Sequence, residues 1–276
     1  MTRNHVIFGG YGGVGLAIAK RLVAAGDHVH LVGRDQTRLQ AAAASLGATG
    51  SLCDVLVPEQ ITQALGEAQS NGPIHSLCYA VGTINLKPLG RLAVADFEQD
   101  FRVNALGAAL AIQAAVAGLK ASEGISSVLL FSSVAVAQGF PAHASIAMAK
   151  GAVEALTRSL ATELAPKIRV NCIAPGAMPT EMLKKVLESD KRYAGEKEIE
   201  QAKKVFAGAE DVLEKAVNLA LFLASDDSVG ITGKLISAAW DRWEDWPKYL
   251  AELDKSDAYT LRRITGKDRG LNWGDR

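Results

Sequence analysis

Net charge is what this chain most plainly lacks. Thirty Lys and Arg balance thirty Asp and Glu, and charged residues are 22% of the 276. Such a balance leaves no basic footprint for nucleic acid and no cationic face for a membrane surface. Cysteine is scarce as well. Cys53, Cys78 and Cys172 stand far apart without metal-ligand spacing, and their odd number argues against a disulfide framework. Isolated thiols of this kind fit a cytoplasmic protein. The five histidines offer no ligand pair, because His28 and His30 alternate within a strand pattern. Long hydrophobic runs are missing too. The longest apolar helical pattern, Ala105 to Leu119, is short for a bilayer and rich in alanine. A strand pattern opens at His5, so no signal peptide is expected ahead of it. The length suits one large domain or two small ones.

What is present is alternation. An apolar strand, His5-Val6-Ile7-Phe8, runs into a glycine-dense turn and then a helical pattern predicted to reach Gly26. Within the turn, Gly10, Gly12 and Gly15 satisfy G-x-G-x-x-G, while Gly9, Gly13 and Gly15 satisfy the related spacing G-x-x-x-G-x-G. Between strand and helix, such glycines let a pyrophosphate reach backbone N–H groups at the helix N-terminus; elsewhere they would be a flexible turn. The second strand, His28–Val32, is followed by Gly33-Arg34-Asp35. A carboxylate at the strand end would take both ribose hydroxyls of NAD(H). Gly33 stands there instead, and the guanidinium of Arg34 suits a 2′-phosphate, which favours NADP(H) over NAD(H). Asp35 falls one residue into the loop, where it can pair with Arg34.

A helix over 37–46 and a short strand ending at Leu52 lead to Asp54-Val55. Asp54 either receives an adenine amino group or caps the next helix. The strand Ile74–Tyr79 closes in Ala80-Val81-Gly82, small enough to lie against a cofactor. Asn104 falls inside a helical pattern, where asparagine costs propensity; it marks either a kink holding water or a surface position.

The richest stretch is 127–165. A buried strand, Val128–Phe131, ends in Ser132 and Ser133, a loop with Gly139 and Pro141 follows, and a helix begins near Ala144. Inside that apolar helix sits Lys150, among Ala147, Ala149, Gly151 and Ala152, where a ligand or partner helix can approach. Its ordinary alternative is a solvated surface charge. Beyond it, Ile168–Gly176 reads as a strand closing at Pro175-Gly176, with Thr180 four residues on. Residues 181–209 are charged and helical in pattern, either a lid or a solvated helix pair, and Ile231–Ile236 reads as the last strand. From 240 to 276 the chain carries Trp240, Trp243, Trp246, Tyr249, Tyr259 and Trp273. Such a tail packs into a groove of its own chain or a sister subunit, or else walls a substrate pocket.

Repeated strand–helix alternation implies an α/β domain, a doubly wound parallel sheet over residues 1–239, with 240–276 as an extension. From residue 4 to about 239 the sequence resembles the short-chain dehydrogenase/reductase superfamily, a Rossmann-fold family. The resemblance rests on GGYGGVG at 9–15, Asp54-Val55, YAVG at 79–82, FRVNALG around Asn104, Ser132-Ser133, Lys150, RVNCIAPG at 169–176 and Thr180. It implies a homo-oligomer, dimer or tetramer, paired through the helices carrying Asn104 and Lys150. It places the cofactor against Gly9, Tyr11, Gly12, Gly13, Val14, Gly15, Arg34, Asp54, Val55, Ala80, Gly82, Pro175 and Gly176. It implies Lys150 on the nicotinamide ribose, Asn104 on a proton-relay water, Ser133 near the substrate oxygen and Thr180 on the carboxamide.

One residue departs. The family's tyrosine acid stands four residues before the lysine, and here that position is Ile146, with no tyrosine between Tyr79 and Tyr193. The enoyl-acyl carrier protein reductases, a branch of the superfamily, place it seven residues before, and here that residue is His143. Seven residues span about 10 Å of helix, two turns, on the same stripe as Lys150. Imidazole, with an ordinary pKa of about 6.5, exchanges protons near neutrality; otherwise His143 is a capping or solvated loop residue. The expectation is an NADP(H)-dependent oxidoreductase of a small or medium C=C or C=O substrate, with an altered acid/base site. Its alternative is a nucleotide-binding sensor or scaffold without turnover.

Overall fold

The computed structural model describes residues 2–176, 178 and 210–271. Thr180, the lid expected over 181–209, and Trp273 lie outside the described residues. The elements alternate as β1 (Asn4–Phe8), α1 (Gly13–Ala24), β2 (His28–Gly33), α2 (Gln36–Leu46), β3 (Thr49–Leu52), α3 (Pro58–Ala68) and β4 (Ser76–Tyr79). Then come α4 (Val94–Phe101), a π-helical segment Arg102–Leu106, α5 (Gly107–Lys120), β5 (Ser126–Phe131), α6 (Val134–Gln138), α7 (Ala144–Glu163) and β6 (Ile168–Ala174). From residue 210 on follow α8 (Glu210–Ala224), β7 (Leu235–Ser237) and α9 (Leu250–Lys255).

Among the described residues the strands form one parallel sheet in the order β3-β2-β1-β4-β5-β6-β7. Every residue of β1, β4, β5 and β6 is buried, as a parallel sheet covered on both faces requires. Val6, Phe8, Leu77, Val128 and Val170 face a core built with α3, α5 and α7. Ile7, Leu31, Cys78, Leu129 and Ile173 face the opposite core, built with α1, α2 and α8. Strand order reverses between β2-β1 and β4-β5, and a doubly wound sheet opens a crevice at that point, beyond the strands' carboxyl ends.

Some boundaries differ from the sequence expectation. The helix after the first turn stops at Ala24, and Gly26 turns at φ +90°. The last strand is shorter than Ile231–Ile236. Gly233, at φ +71°, donates to the carbonyl of Val170, so residues 231–234 reach β6 through a turn before β7 begins. The apolar helix is also longer than the pattern indicated. The π segment joins α4 to α5 without a break, and Val94–Lys120, at 27 residues, is long and apolar enough to cross a membrane by length and composition alone. In the fold it is a core helix, with Ala108, Ala111, Ile112, Ala115 and Leu119 packed toward the sheet.

The aromatic tail folds onto its own chain. Trp243 and Trp246 are buried in the α8 core, Trp243 against Phe222 and Trp246 against Tyr259 at centroid distances of 5.2 and 4.4 Å; Trp240 stays exposed. Buried Lys234 donates to the carbonyls of Leu253, Ser256 and Ala258 and so holds the end of α9. The N–H groups of Leu235 and Ser237 donate to the carbonyl of Tyr259 and the carboxylate of Asp241, each at 2.7 Å.

The turn after β1 depends on missing side chains. A Cβ on Gly15 would collide with the carbonyl oxygen of Gly9 and lie 3.1 Å from its carbon. Both obstacles are backbone and cannot rotate away. Gly15→Ala is expected to destabilise by about 1–3 kcal/mol, as overpacking typically does. Thermal denaturation checks this: an unchanged melting temperature would show that the turn has slack.

Candidate active site

The crevice floor is the Gly9–Gly15 turn. Gly9 adopts φ +78°, and a Cβ there would stand 2.9 Å from the carbonyl oxygen of Ala80, so β1 and β4 are sealed together at their tips. Gly9 donates to Val32 at 2.7 Å, and Gly12 caps α1 with its backbone, accepting from Leu16 at 2.8 Å. The amides of Gly13, Val14 and Gly15 therefore open the helix, with no acceptor available in a preceding turn. This bare, positively polarised rim fits a pyrophosphate. Ala80 and half-buried Gly82 continue it along β4, and Pro175 with Gly176, at φ +82°, closes the tip of β6. Val55 turns its side chain into the core beside Gly107.

Two sequence readings are corrected at the adenosine end. Asp35 does not pair with Arg34; it caps α2, accepting from the N–H of Arg38 at 3.0 Å. Asp54 does not cap α3, whose N-cap is Val57; its carboxylate takes the N–H of Leu56 at 2.9 Å in a local turn. Arg34 is exposed.

The reactive end gathers on β5 and α7. Ser133 caps α6, its Oγ accepting from Ala135 at 3.2 Å. The ammonium of Lys150 reaches back from α7 to the carbonyl of Phe131, at 2.9 Å, at the tip of β5. Burial pulls that ammonium down from 10.5 to about 8. Asn104 lies in the π segment, buried, so it is the kink residue and not a surface one. Its Nδ2 donates to the carbonyls of Asp100 and Thr83 at 2.9 and 3.2 Å. Its Oδ1 is buried with no hydrogen-bond partner among the described residues, an acceptor free to take a water. The cradle at Gly9 and this open acceptor together fit a bound pyridine dinucleotide.

Comparison with known proteins agrees. Residues 10–238 match the family model described as enoyl-(acyl carrier protein) reductase. A tropinone reductase homolog of Arabidopsis thaliana is 32% identical over 245 residues, covering 85% of this chain and 90% of the relative. L-2,3-butanediol dehydrogenase of Corynebacterium glutamicum is 30% identical, covering 86% and 96%. The structure of NAD+-bound xylitol dehydrogenase superposes with a TM-score of 0.76 at 26% identity, covering 85% and 96%. The chain belongs to the short-chain dehydrogenase/reductase superfamily. It is an NAD(P)-dependent oxidoreductase.

Against that family frame the altered positions stand out. Ile146 is buried at 3% exposure, one helical turn before Lys150, and has no proton to give. His143 is the N-cap residue of α7, one position outside the helix, and is half-buried. Its Nδ1 lies 2.6 Å from the carbonyl of Pro141, which can only accept, so Nδ1 carries the proton and Nε2 is the open acceptor. The ring also rests on Phe140, with centroids 5.5 Å apart.

Of the buried carboxylates, Asp100 and Glu154, like Asp96, were not singled out from the sequence. Asp100, with no exposed surface, accepts from Thr83 Oγ1 at 2.8 Å, Asn85 Nδ2 at 3.1 Å, the Asn85 N–H at 3.3 Å and Ser145 Oγ at 2.7 Å. It thus fastens the loop after β4 to the start of α7, while Thr83 passes the connection to Asn104 at 3.2 Å. Glu154 is buried under the hydroxyl of Ser132, and burial raises its carboxyl pKa. The available signal was spacing: Asp100 lies one turn before Asn104, and Glu154 one turn after Lys150. Burial lifts the thiols of Cys172 and Cys53 to about 12 and 11, which leaves both protonated and inert.

Asp100→Ala leaves the Thr83, Asn85 and Ser145 donors without their acceptor, and about 1–3 kcal/mol of stability should be lost. Urea denaturation measures it, and an unchanged midpoint would mean the loop is held otherwise. Lys150 generates a pH dependence. Between about 8 and 10.5 the unfolded chain holds a proton that the folded one has released, so the nucleotide-free protein gains stability as pH rises through that window. Lys150→Met should flatten that rise in melting temperature; an identical profile in the variant would contradict the burial of the ammonium.

Proposed function

We propose that this protein is an NADP(H)-dependent reductase or dehydrogenase acting on a small or medium activated alkene, with C=O reduction the less favoured chemistry. The observation that carries the reading is Lys150 held on the carbonyl of Phe131 at the tip of β5, two residues before Ser133, with isoleucine where a tyrosine acid would stand. NADP(H) is chosen over NAD(H) because Gly33 and Arg34 end β2 without a carboxylate. When bound, the nucleotide supplies or accepts a hydride at the nicotinamide. The chain's own groups then divide the remaining work. Lys150 grips the ribose hydroxyls, and Asn104 holds a water through its open Oδ1. Ser133 donates to the substrate oxygen. His143 exchanges the proton through Nε2, or the water does so in its place. Thr180, outside the described residues, is assigned the carboxamide.

Losing a general acid typically costs about 10²–10⁴-fold, whereas hydride delivery depends mainly on orientation. A conjugated alkene tolerates the loss better, since hydride addition leaves an enolate, whose oxygen Ser133 can meet and which is a much weaker base than the alkoxide left by a ketone. We assign the enzyme to the cytoplasm, in keeping with three free, buried cysteines. We further expect a homodimer or homotetramer, paired over α5 and α7, where Leu110, Val116, Leu156 and Leu160 line an apolar groove.

The test is NADPH oxidation across matched panels of enones and ketones. Enones should turn over faster, and His143→Ala should slow them by about 10²-fold or more, because the imidazolium, protonated at Nε2 as well, gives up that proton. Equal rates in variant and parent would remove His143 from the chemistry. Faster ketone than enone turnover would reverse the substrate assignment.

A further inference from the structure

We propose that Ala142, held in a left-handed backbone conformation by the amide of Lys87, is a latch that positions the imidazole of His143, and that the Lys87–Asp96 ion pair keeps the latch shut. The latch rests on the reading of His143 as the proton exchanger and deepens it. Ala142, Lys87 and Asp96 are positioning residues, acting through His143.

Ala142 precedes the N-cap residue of α7 and adopts φ +61°. Among the described residues only one other non-glycine, Tyr259, has a positive φ. Alanine is sterically penalised in this region. It also lacks the polar side chain with which asparagine or aspartate bonds locally when it goes there. Such a conformation persists only where its surroundings impose it. Here the surroundings are the loop that follows β4, whose Lys87 donates its N–H to the carbonyl of Ala142 at 3.2 Å.

Lys87 is itself fixed. Its ammonium donates to both carboxylate oxygens of Asp96, at 2.7 and 2.8 Å, and the pair is largely shielded from solvent. One of those oxygens also takes the N–H of Ala93, at 2.9 Å, where α4 begins, so the carboxylate cannot swing with the lysine. The other side of His143 is fastened to the same helix. The hydroxyl proton of Ser145 is shared between the carboxylate of Asp100, at 2.7 Å, and the backbone carbonyl of Asp96, at 3.1 Å. His143 is therefore bracketed, by Ala142 before it and Ser145 two residues after it, and both brackets end on α4. Between them the ring keeps Nδ1 on the carbonyl of Pro141 and rests on Phe140, which leaves Nε2 as the open nitrogen. Holding a proton-transfer group in this way matters, because a misplacement of about 1 Å can cost 10²-fold in rate. Ala142 and Lys87 gave no signal in the sequence, since a loop lysine reads as solvated and a positive φ leaves no mark on an alanine.

The experiment combines steady-state kinetics, with NADPH and cyclohex-2-enone as the probe, and imidazole nitrogen NMR shifts of histidine-labelled protein. The His143 signal is assigned by its loss in His143→Ala. Glycine accepts the left-handed turn without penalty, so Ala142→Gly should raise the melting temperature by about 2 °C. The same variant should lower kcat about tenfold and leave KM for NADPH within about twofold. Opposite signs in stability and rate mark strain held for positioning, which a merely structural contact would not give. Lys87→Met should lower kcat in the same way, and Lys87→Arg, which keeps the ion pair, should restore it to within about threefold. In Ala142→Gly and Lys87→Met the His143 resonances should move from the Nδ1–H form toward a mixture of tautomers. A lower melting temperature in Ala142→Gly overturns the latch alone. So do a kcat and a tautomer unmoved in both loosened variants while His143→Ala slows the enone. Turnover unchanged by His143→Ala overturns the proton role and the latch together. An enone that is not reduced at all counts against the reductase reading, and the tautomer then decides the latch by itself.

Discussion

Backbone pressed against backbone at the tips of β1 and β4 is the constraint on which the rest of this structure depends. Gly15 meets the carbonyl of Gly9, and Gly9 meets the carbonyl of Ala80, with no side chain between them. That approach brings the first turn of α1 down onto the sheet and leaves its opening amides facing the crevice. The polar groups brought there from β5, α7 and the π segment have a shared target only because this floor is fixed. Two further glycines obey the same rule elsewhere. Gly107 clears the Tyr79 hydroxyl, which donates to Val103 at 2.6 Å and so couples β4 to the π segment. Gly33 makes room for Tyr11.

What the sequence made legible follows from periodicity and from glycine. Strands buried on both faces are predominantly apolar, so β1, β2, β5 and β6 could be placed within a residue or two. The glycine turn and Lys150 were legible because each is an exception to its surroundings. Asn104 was readable as a kink, but the π segment that houses it was not. A π turn keeps the helical pattern while inserting a residue, and this concealed a continuous helix of 27 residues. Asp100 and Glu154 were missed for a different reason. A carboxylate in a helical pattern ordinarily belongs to the wet face, and only tertiary packing placed these two at or near complete burial. Asp35 caps α2 and Asp54 caps no helix, against expectation, because capping depends on where a helix begins, and that shifts by single residues.

The site therefore holds its polar side chains in place around an isoleucine at the position of the family's tyrosine. Lys150, Asn104 and Ser133 remain supported by hydrogen bonds to backbone or to buried side chains. Ile146 is packed as an ordinary core residue. Asp100, surrounded by hydroxyl and amide donors, holds the start of α7 through Ser145, the residue before Ile146.

The edge of the sheet at β7 carries a consequence of its own. A terminal strand usually offers a row of free amides on which a foreign strand can grow. On β7 the residues that point away from β6 are Leu235 and Ser237, and both of their amides are already occupied by the chain's own tail. Recruitment of a neighbour by ladder extension is closed on that flank, so contacts with other molecules there must be made by side chains.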